Sequence, residues 1–344
     1  MIAVYGASGY TGRLVANELA RRKVKMVLIG RNFKKLQQVA ESMDMRDTEV
    51  HAVSHERKSL EAAFQDCDTV INCAGPFIQL GELTIEAAVS AGCHYVDTSG
   101  EQLYIKRTFD ELSERARISG VTLIPGATES GLLGDLGAHM AAEHVSPVKE
   151  ITVAHQVVNP APSRGTLQTF LANLDFFHNG GLSWVDGKFT VGGSARRSVF
   201  NFLDDSGARA VAKFAAPSVV TIPRHVSAGR VEGVVEADLI ASFDSLTPEI
   251  LHSLPAMGPS VESRRAAIFR VLVDASGTDG SRALTVIEGI DPYMTTAAIA
   301  VEAATRITLE KPKHGVLAPA QAFDAVSFLD SLTPFGVSRE TVIA

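Results

Sequence analysis

The chain is poor in cysteine, in tryptophan and in excess positive charge. Three cysteines (Cys67, Cys73 and Cys93) and one tryptophan stand among 344 residues. An odd number of cysteines without metal-type spacing excludes a disulfide framework and reads as reduced thiols of a cytosolic protein. Zinc is not supported either. His55-Glu56 lacks a second histidine at the zinc spacing, and His139 and His144 are too far out of phase to share a helix face. Lys and Arg number 32 against 39 Asp and Glu, a net charge of −7, so the clustered cations that nucleic acid demands are missing. No apolar run reaches the roughly 18 residues of a membrane span. The first residues form an apolar strand, Ile2–Tyr5, with no charged leader, and no export signal is expected. A Gly-x-Ser-x-Gly elbow is absent, which weakens a hydrolase reading. None of the five tyrosines is followed four residues later by lysine, the pair a short-chain dehydrogenase needs.

What is present is an ordinary globular mixture, 46% hydrophobic and 21% charged, long enough for two domains. Up to about residue 145, short apolar runs (Ile2–Tyr5, Lys25–Ile29, Thr48–Val53, Thr69–Cys73, His94–Asp97, Val121–Ile124) alternate with segments of helical period. Those segments are Arg13–Arg22, Lys34–Met43, Leu60–Phe64, Leu83–Ala91 and Tyr104–Ser119. Asn32 suits a helix N-cap, and Gly92 and Gly120 suit helix stops. This alternation predicts an α/β fold, a Rossmann-type parallel sheet covered by helices. Beyond residue 145 the runs lengthen. Ile151–Val158, Val219–Ile222, Val231–Phe243, Ile268–Ala275 and Leu284–Ile290 read as strands of a mostly antiparallel sheet, with a hairpin turn at residues 275–281. Thr166–Phe177 and Thr295–Leu309 read as helices. The expected organisation is a Rossmann-type domain over 1–145, an α+β substrate or dimerisation domain over 146–310, and a tail, 311–344, packing back on them. Ligands of open parallel sheets sit at the carboxyl ends of the strands, so a second domain over that edge is expected to close a cleft.

The strongest local signal is Val4-Tyr5-Gly6-Ala7-Ser8-Gly9-Tyr10-Thr11-Gly12, which follows a strand and opens a helix. Gly6 permits a tight turn, Gly9 lets backbone N–H groups approach a pyrophosphate, and Gly12 lets the helix pack close to the sheet. The helix start adds unpaired N–H groups and a positive dipole end. An NAD site usually places an acid roughly 20 residues further on, to hold a ribose hydroxyl. This chain places Arg31 there, followed by Asn32, Lys34 and Lys35. A guanidinium fork suits a 2′-phosphate, which an acid would repel. The expected cofactor is NADP(H). Cys73-Ala74-Gly75-Pro76-Phe77, at the end of the fourth strand, offers small residues for close approach and a ring for the nicotinamide.

Four motifs carry a family likeness: Gly-Ala-Ser-Gly-Tyr-Thr-Gly from Gly6, Gly30-Arg31-Asn32, Asn72-Cys-Ala-Gly-Pro-Phe77, and Tyr95-Val-Asp-Thr-Ser-Gly-Glu101. With them the chain resembles the saccharopine dehydrogenase-like reductases, a group that includes trans-acting enoyl reductases. The tail Gly315-Val-Leu-Ala-Pro-Ala-Gln-Ala-Phe-Asp324 resembles that group too. The resemblance implies NAD(P)-dependent oxidation or reduction. It departs at Gly126-Ala-Thr-Glu-Ser-Gly131, where relatives carry a Gly-Phe-Asp-Ser type sequence before the Asp-Leu-Gly that this chain keeps at Asp135–Gly137. The substrate therefore lies outside what the resemblance implies.

Reduction of C=C, C=N or C=O needs a proton beside the hydride. Asp97 and Glu101, at the fifth strand's end, and Tyr293, after the last long strand, are the candidates. Each has a plainer reading: Glu101 as a helix-starting residue, Tyr293 as a packing or hinge residue. His155 and His225 read as surface or satisfied core histidines. The leading functional expectation is an NADPH-dependent reductase of a small or medium organic substrate. The alternatives are a non-catalytic NADP(H)-binding sensor or scaffold and, more weakly, a lyase or isomerase that recycles its cofactor. A homodimer is expected only from the general frequency of twofold assemblies.

Overall fold

The structure is a computed structural model that describes residues 1–43, 45, 48–204 and 207–344. The chain divides into two compact units: Met1–Ser99 with Leu103–Thr128 and Thr296–Leu317, and Gly100–Gln102 with Glu129–Thr295 and Ala318–Ala344.

The first unit is built on a seven-stranded sheet. Its strands are β1 (Ile2–Tyr5), β2 (Met26–Gly30), β3 (Glu49–Ala52), β4 (Thr69–Asn72), β5 (His94–Asp97) and β6 (Thr122–Ile124), with the short strand Gly315–Val316 beyond β6. The order is Gly315–Val316, β6, β5, β4, β1, β2, β3, and every neighbouring pair is parallel. Helices α1 (Tyr10–Arg21), α2 (Phe33–Glu41), α3 (Arg57–Phe64), α4 (Phe77–Ser90) and α5 (Gln102–Ile118) follow the first five strands. Parallel strands are covered on both faces, so β1, β2 and β4 are unbroken buried runs. Phe64, Leu19, Leu28, Ile29, Leu36 and Ile71 fill the space between sheet and helices, each burial worth about 1.5–3 kcal/mol. Asn32 caps α2 as expected, its Oδ1 accepting from Lys35 N at 3.0 Å.

The segment expected as a tail, 311–344, is divided between the units, and residues 296–310, expected with the second domain, go with the first. Residues 296–317 lie with the first unit, and residues 318–344 with the second. One cause is visible in the charges. Glu302 binds Arg22 at 2.5 Å and Arg306 at 2.7 Å, while Arg22 also binds the buried Glu18 of α1.

The second unit carries a nine-stranded sheet: β7 (Val148–Val158), β8 (Leu182–Val185), β9 (Lys188–Val191), β10 (Val199–Asn201), β11 (Ala208–Phe214), β12 (Ala228–Glu236), β13 (Ile268–Gly277), β14 (Arg282–Ile290) and the terminal strand Ser338–Ile343. All its pairings are antiparallel except β12 with β7. The turn between β13 and β14 is the expected hairpin, with Gly277 N donating to Ser281 O at 2.8 Å. The architecture, a Rossmann-type parallel sheet and a mostly antiparallel second sheet, is the expected one.

Three local expectations are corrected. Val219–Ile222 is not a strand; Ser218–Thr221 is a helical turn continued by a 3-10 turn, Ile222–Arg224. Its β-branched residues are fully buried, and tertiary burial between Pro217 and Pro223 overrides their strand preference. Val231–Phe243 is not one strand: β12 ends at Glu236 and a helix, Ala237–Ser242, begins at once. Thr166–Phe177 is broken at Asn173 into Arg164–Ala172 and Leu174–His178.

Candidate nucleotide-binding site

The loop after β1 is a cradle formed by backbone. Gly6 takes φ +79°, a left-handed conformation that glycine adopts without strain. Its N–H donates to Ile29 O at 2.9 Å, and its carbonyl accepts from Gly9 N at 2.9 Å. Gly9 is the N-cap of α1 and brings no side-chain cap; a helix start of this kind turns backbone N–H groups and a positive dipole end toward an anion. A Cβ on Gly12 would lie 2.3 Å from Gly6 O and 2.8 Å from Ala7 Cα. Only glycine lets the helix start this close to the turn. Gly6 is in turn pressed against the loop after β4, where a Cβ would meet Ala74 N at 2.9 Å. That loop is held by Asn72, whose Oδ1 accepts from Ala74 N at 2.9 Å. Two loops from adjacent strands thus meet at the carboxyl edge of the sheet. The ring of Phe77, which opens α4, is buried against Tyr104, with centroids 5.7 Å apart.

Arg31 stands exposed just beyond β2, and Lys34 and Lys35 are exposed in the first turn of α2. Beside them lies a pair that the sequence does not announce. The Tyr5 hydroxyl, at the end of β1, and His55 Nδ1, beyond β3, are 2.9 Å apart, with the rings stacked at 18°. Burial and then the charge of Arg31 hold the His55 pKa below its ordinary value.

Asp97 is fully buried. Its Oδ1 accepts from Ser99 N at 3.0 Å and Gly126 N at 2.9 Å, and its Oδ2 accepts from the Tyr104 hydroxyl at 2.9 Å. Burial raises its pKa to about 6, against the pull of those hydrogen bonds. Tyr104 continues to Tyr95 at 3.0 Å, and Tyr95 accepts from Asn72 Nδ2 at 2.9 Å. A buried polar chain therefore runs behind the loops after β4, β5 and β6.

The other two proton candidates belong to the second unit. Glu101 Oε2 accepts from Asn173 Nδ2 at 3.2 Å. The Tyr293 hydroxyl accepts from Ser163 N at 2.7 Å and lies 2.6 Å from Thr166 Oγ1. The same unit holds His155, 3.6 Å from Glu129 in the changed loop, and His225, bonded to Asp135 at 2.9 Å. Cys67, Cys73 and Cys93 are free thiols, and burial pushes Cys93 up to about 12. Among the described residues no group of three or more His, Cys, Asp or Glu is placed to hold a metal. No described helix is long and apolar enough to cross a membrane.

Comparison with known proteins decides what this cradle belongs to. Residues 2–124 match the family described as the saccharopine dehydrogenase NADP binding domain. That region is similar to the NADP-binding domain of saccharopine dehydrogenases. The resemblance read from the motifs and the NADP(H) expectation both stand on this match. A lipid droplet localized protein of Caenorhabditis elegans is 30% identical over 149 residues, 40% of this chain and 35% of that one. The human saccharopine dehydrogenase-like oxidoreductase is 29% identical over 40% of this chain and 36% of its own. A trans-acting enoyl reductase of Mycobacterium ulcerans is 24% identical over 40% and 34%. The matched region spans about a third of each of these relatives. Over nearly the full length, the apo saccharopine dehydrogenase (L-Glu forming) of Saccharomyces cerevisiae shares the fold: TM-score 0.63 with 14% identity, covering 99% of both chains.

The residues present fit the cofactor. The Gly6–Gly12 cradle has no Cβ where a pyrophosphate must approach backbone N–H groups, and cations rather than an acid stand after β2.

Proposed function

We propose that the protein is an NADP(H)-dependent oxidoreductase that reduces a C=C or C=N bond of a small or medium organic substrate. The carrying observation is the capless start of α1 above the Gly6–Gly12 turn, which lies within the matched NADP-binding region. In this reading the backbone of Gly6, Ala7, Ser8, Gly9, Tyr10, Thr11 and Gly12 binds the pyrophosphate. Arg31, with Asn32 and Lys35, takes the 2′-phosphate, where a planar fork forms two charge-assisted bonds. Cys73, Ala74, Gly75, Pro76 and Phe77 border the nicotinamide, which supplies the hydride when the cofactor is bound. Proton delivery is assigned to Tyr293. Its oxygen accepts from Ser163 N and lies 2.6 Å from Thr166 Oγ1, which fixes the position of the hydroxyl. Glu101 and Asp97 remain candidates of the same step, and Asp97 also anchors the loops of Ser99 and Gly126. A homodimer belongs to the same proposal and is read by sedimentation. The three free thiols support a reducing, cytoplasmic setting.

Two measurements test the reading. Wild type binds NADPH with a low-micromolar or smaller Kd and prefers it to NADH, and Arg31→Ala loses that preference. Equal binding of both cofactors by wild type removes the Arg31 argument. Cofactor oxidation is then followed across a panel of imines, enones and ketones. Steady turnover with one member, lost in Tyr293→Phe, supports the reductase and its donor.

One observation favours a second reading, an NADP(H)-binding sensor or scaffold. All three proton candidates are engaged internally, with Tyr104, with Asn173, and with Ser163 and Thr166. NADPH binding without turnover on any panel member supports it.

A further inference from the structure

The Tyr5–His55 pair is the feature of the nucleotide edge that the proposed function leaves unused. β3 pairs with β2 through Gly30 and Ala52, and the ladder continues one step as Val53 N donates to Gly30 O at 2.9 Å. Residues 31 and 53–55 therefore leave the sheet side by side. His55 is fixed there, stacked on Tyr5 and hydrogen-bonded to its hydroxyl through Nδ1. Tyr5 is itself braced edge-on by Phe64 of α3, with centroids 6.3 Å apart.

Burial, against the counter-pull of Arg31, keeps the Tyr5 hydroxyl protonated and able to donate. With Nδ1 of neutral His55 as its acceptor, Nε2 carries the proton; the same 2.9 Å contact also admits the reverse roles. Arg31 is close enough for its charge to act on both rings. From its own segment, Arg57 turns to Glu61, Glu86 and Ser90. Among the described residues, Tyr5 from β1 and Arg31 from beyond β2 are the ionisable neighbours whose hydrogen bond or charge reaches the imidazole.

We propose that His55 is a second, titratable cation of the 2′-phosphate pocket: it presents Nε2–H beside Arg31 and takes up a proton when NADP(H) binds. The inference rests on the reading of Arg31 given above and adds a pH dependence to it. In the empty pocket Arg31 repels a proton from His55. A phosphate dianion reverses the local field, and an opposite charge within a few ångströms favours the imidazolium. Tyr5 accommodates the change by rotating its hydroxyl so that its oxygen accepts from Nδ1–H. Preference for the phosphorylated cofactor therefore strengthens as pH falls through the bound-state pKa, until the phosphate itself protonates near pH 6.

The experiment is titration of the full-length protein with NADPH and with NADH at about pH 8.5 and about pH 6.5. Calorimetry in two buffers of different ionisation enthalpy counts protons. The expected result is an NADPH-over-NADH preference about fivefold larger at the lower pH, with proton uptake for NADPH and not for NADH. His55→Gln keeps a neutral donor and abolishes both the pH dependence and the uptake, while NADH binding, which verifies the fold, is unchanged. Tyr5→Phe, which frees Nδ1, weakens the pH dependence. A preference for NADPH that is pH-independent, or unchanged in His55→Gln, overturns the inference and leaves the NADP(H) reading standing. Equal affinity of wild type for the two cofactors overturns the Arg31 reading, and this inference with it.

Discussion

His225 Nε2 lies 2.9 Å from Asp135 Oδ2 in the second unit, where Asp135 is fully buried and the His225 side chain is 8% exposed. The other Asp135 oxygen accepts from Ala320 N at 2.8 Å. The aspartate of Asp-Leu-Gly is therefore tied to the Ala-Pro-Ala-Gln segment near the chain's end, and the two family-like stretches are one structural device. Burial disfavours the imidazolium, but the charge and hydrogen bond of Asp135 outweigh it, and the His225 pKa is raised above 6.5.

The sign of the resulting pH dependence follows. A histidine with a raised folded-state pKa contributes stability that is complete below about pH 6.5 and is lost as pH rises through the folded value. Urea unfolding of wild type and His225→Gln, compared at about pH 6 and about pH 9, checks this. The variant is less stable at both, and the gap is wider at the lower pH. A gap independent of pH would show that the pair is not ionised.

The buried chain behind the nucleotide edge has a fixed polarity. Asn72 donates to Tyr95, Tyr95 to Tyr104, and Tyr104 to Asp97. Asp97→Asn turns one end into a donor, so donors face each other at Tyr95. A buried mismatch of this kind costs about 1–3 kcal/mol. The double variant Asp97→Asn with Asn72→Asp reverses the whole chain and recovers part of the loss, measured by unfolding midpoints. Asp97 also makes wild type less stable as pH rises from about 4 to about 6, because its folded-state pKa is raised. That slope is absent in Asp97→Asn.

Legibility tracked burial symmetry. The strands β1, β2 and β4 stand out in the sequence because both of their faces are covered and nothing polar interrupts them. The cradle stands out because close backbone approach leaves glycine as the only solution at Gly6 and Gly12. Helix Leu132–Ala142 does not stand out, although it packs on the second sheet. Gly134 and Gly137 sit inside it because a Cβ at Gly137 would lie 3.0 Å from Val273 Cγ2, and in a sequence such glycines read as loop. His55, Tyr5 and the Asp135–His225 pair are contacts between distant segments, with no local pattern to mark them. The return of residues 296–317 to the first unit is hidden for the same reason: Glu302 and Arg22 lie 280 positions apart.

The glycines of the cradle separate binding from folding. A Cβ on Gly9 meets only Gly6 O, at 3.1 Å, whereas one on Gly12 meets backbone at 2.3 Å. Gly9→Ala is accommodated by a shift of a few tenths of an ångström. It lowers stability by about 1 kcal/mol but fills the path by which a pyrophosphate reaches the loop. Gly12→Ala forces α1 away from the turn and costs about 3 kcal/mol or more. Thermal unfolding and NADPH titration of the two variants therefore diverge: Gly9→Ala is nearly as stable as wild type yet binds NADPH far more weakly, while Gly12→Ala loses both.

The charge cluster that returns residues 296–317 to the first unit gives an acid-stability prediction. Glu18 is buried and accepts from Arg21 at 2.8 Å and Arg22 at 2.6 Å; Glu302 accepts from Arg22 and Arg306. Burial opposes their ionisation, yet the arginines prevail and both pKa values are lowered. Lowered carboxylate pKa values contribute stability that is present above about pH 4.5 and lost as pH falls through the folded values. Truncating Glu18 to alanine leaves Arg22, itself largely buried, without one of its two partners, and breaking a buried pair costs about 3–5 kcal/mol. Because Arg22 bridges to Glu302, the loss reaches the helix Pro292–Glu310 as well as α1. Hydrogen exchange checks the coupling: in Glu18→Ala the amides around Glu302 lose protection together with those of α1, while those of β7 and β13 in the second unit do not. Protection unchanged around Glu302 would mean that Arg306 alone holds it.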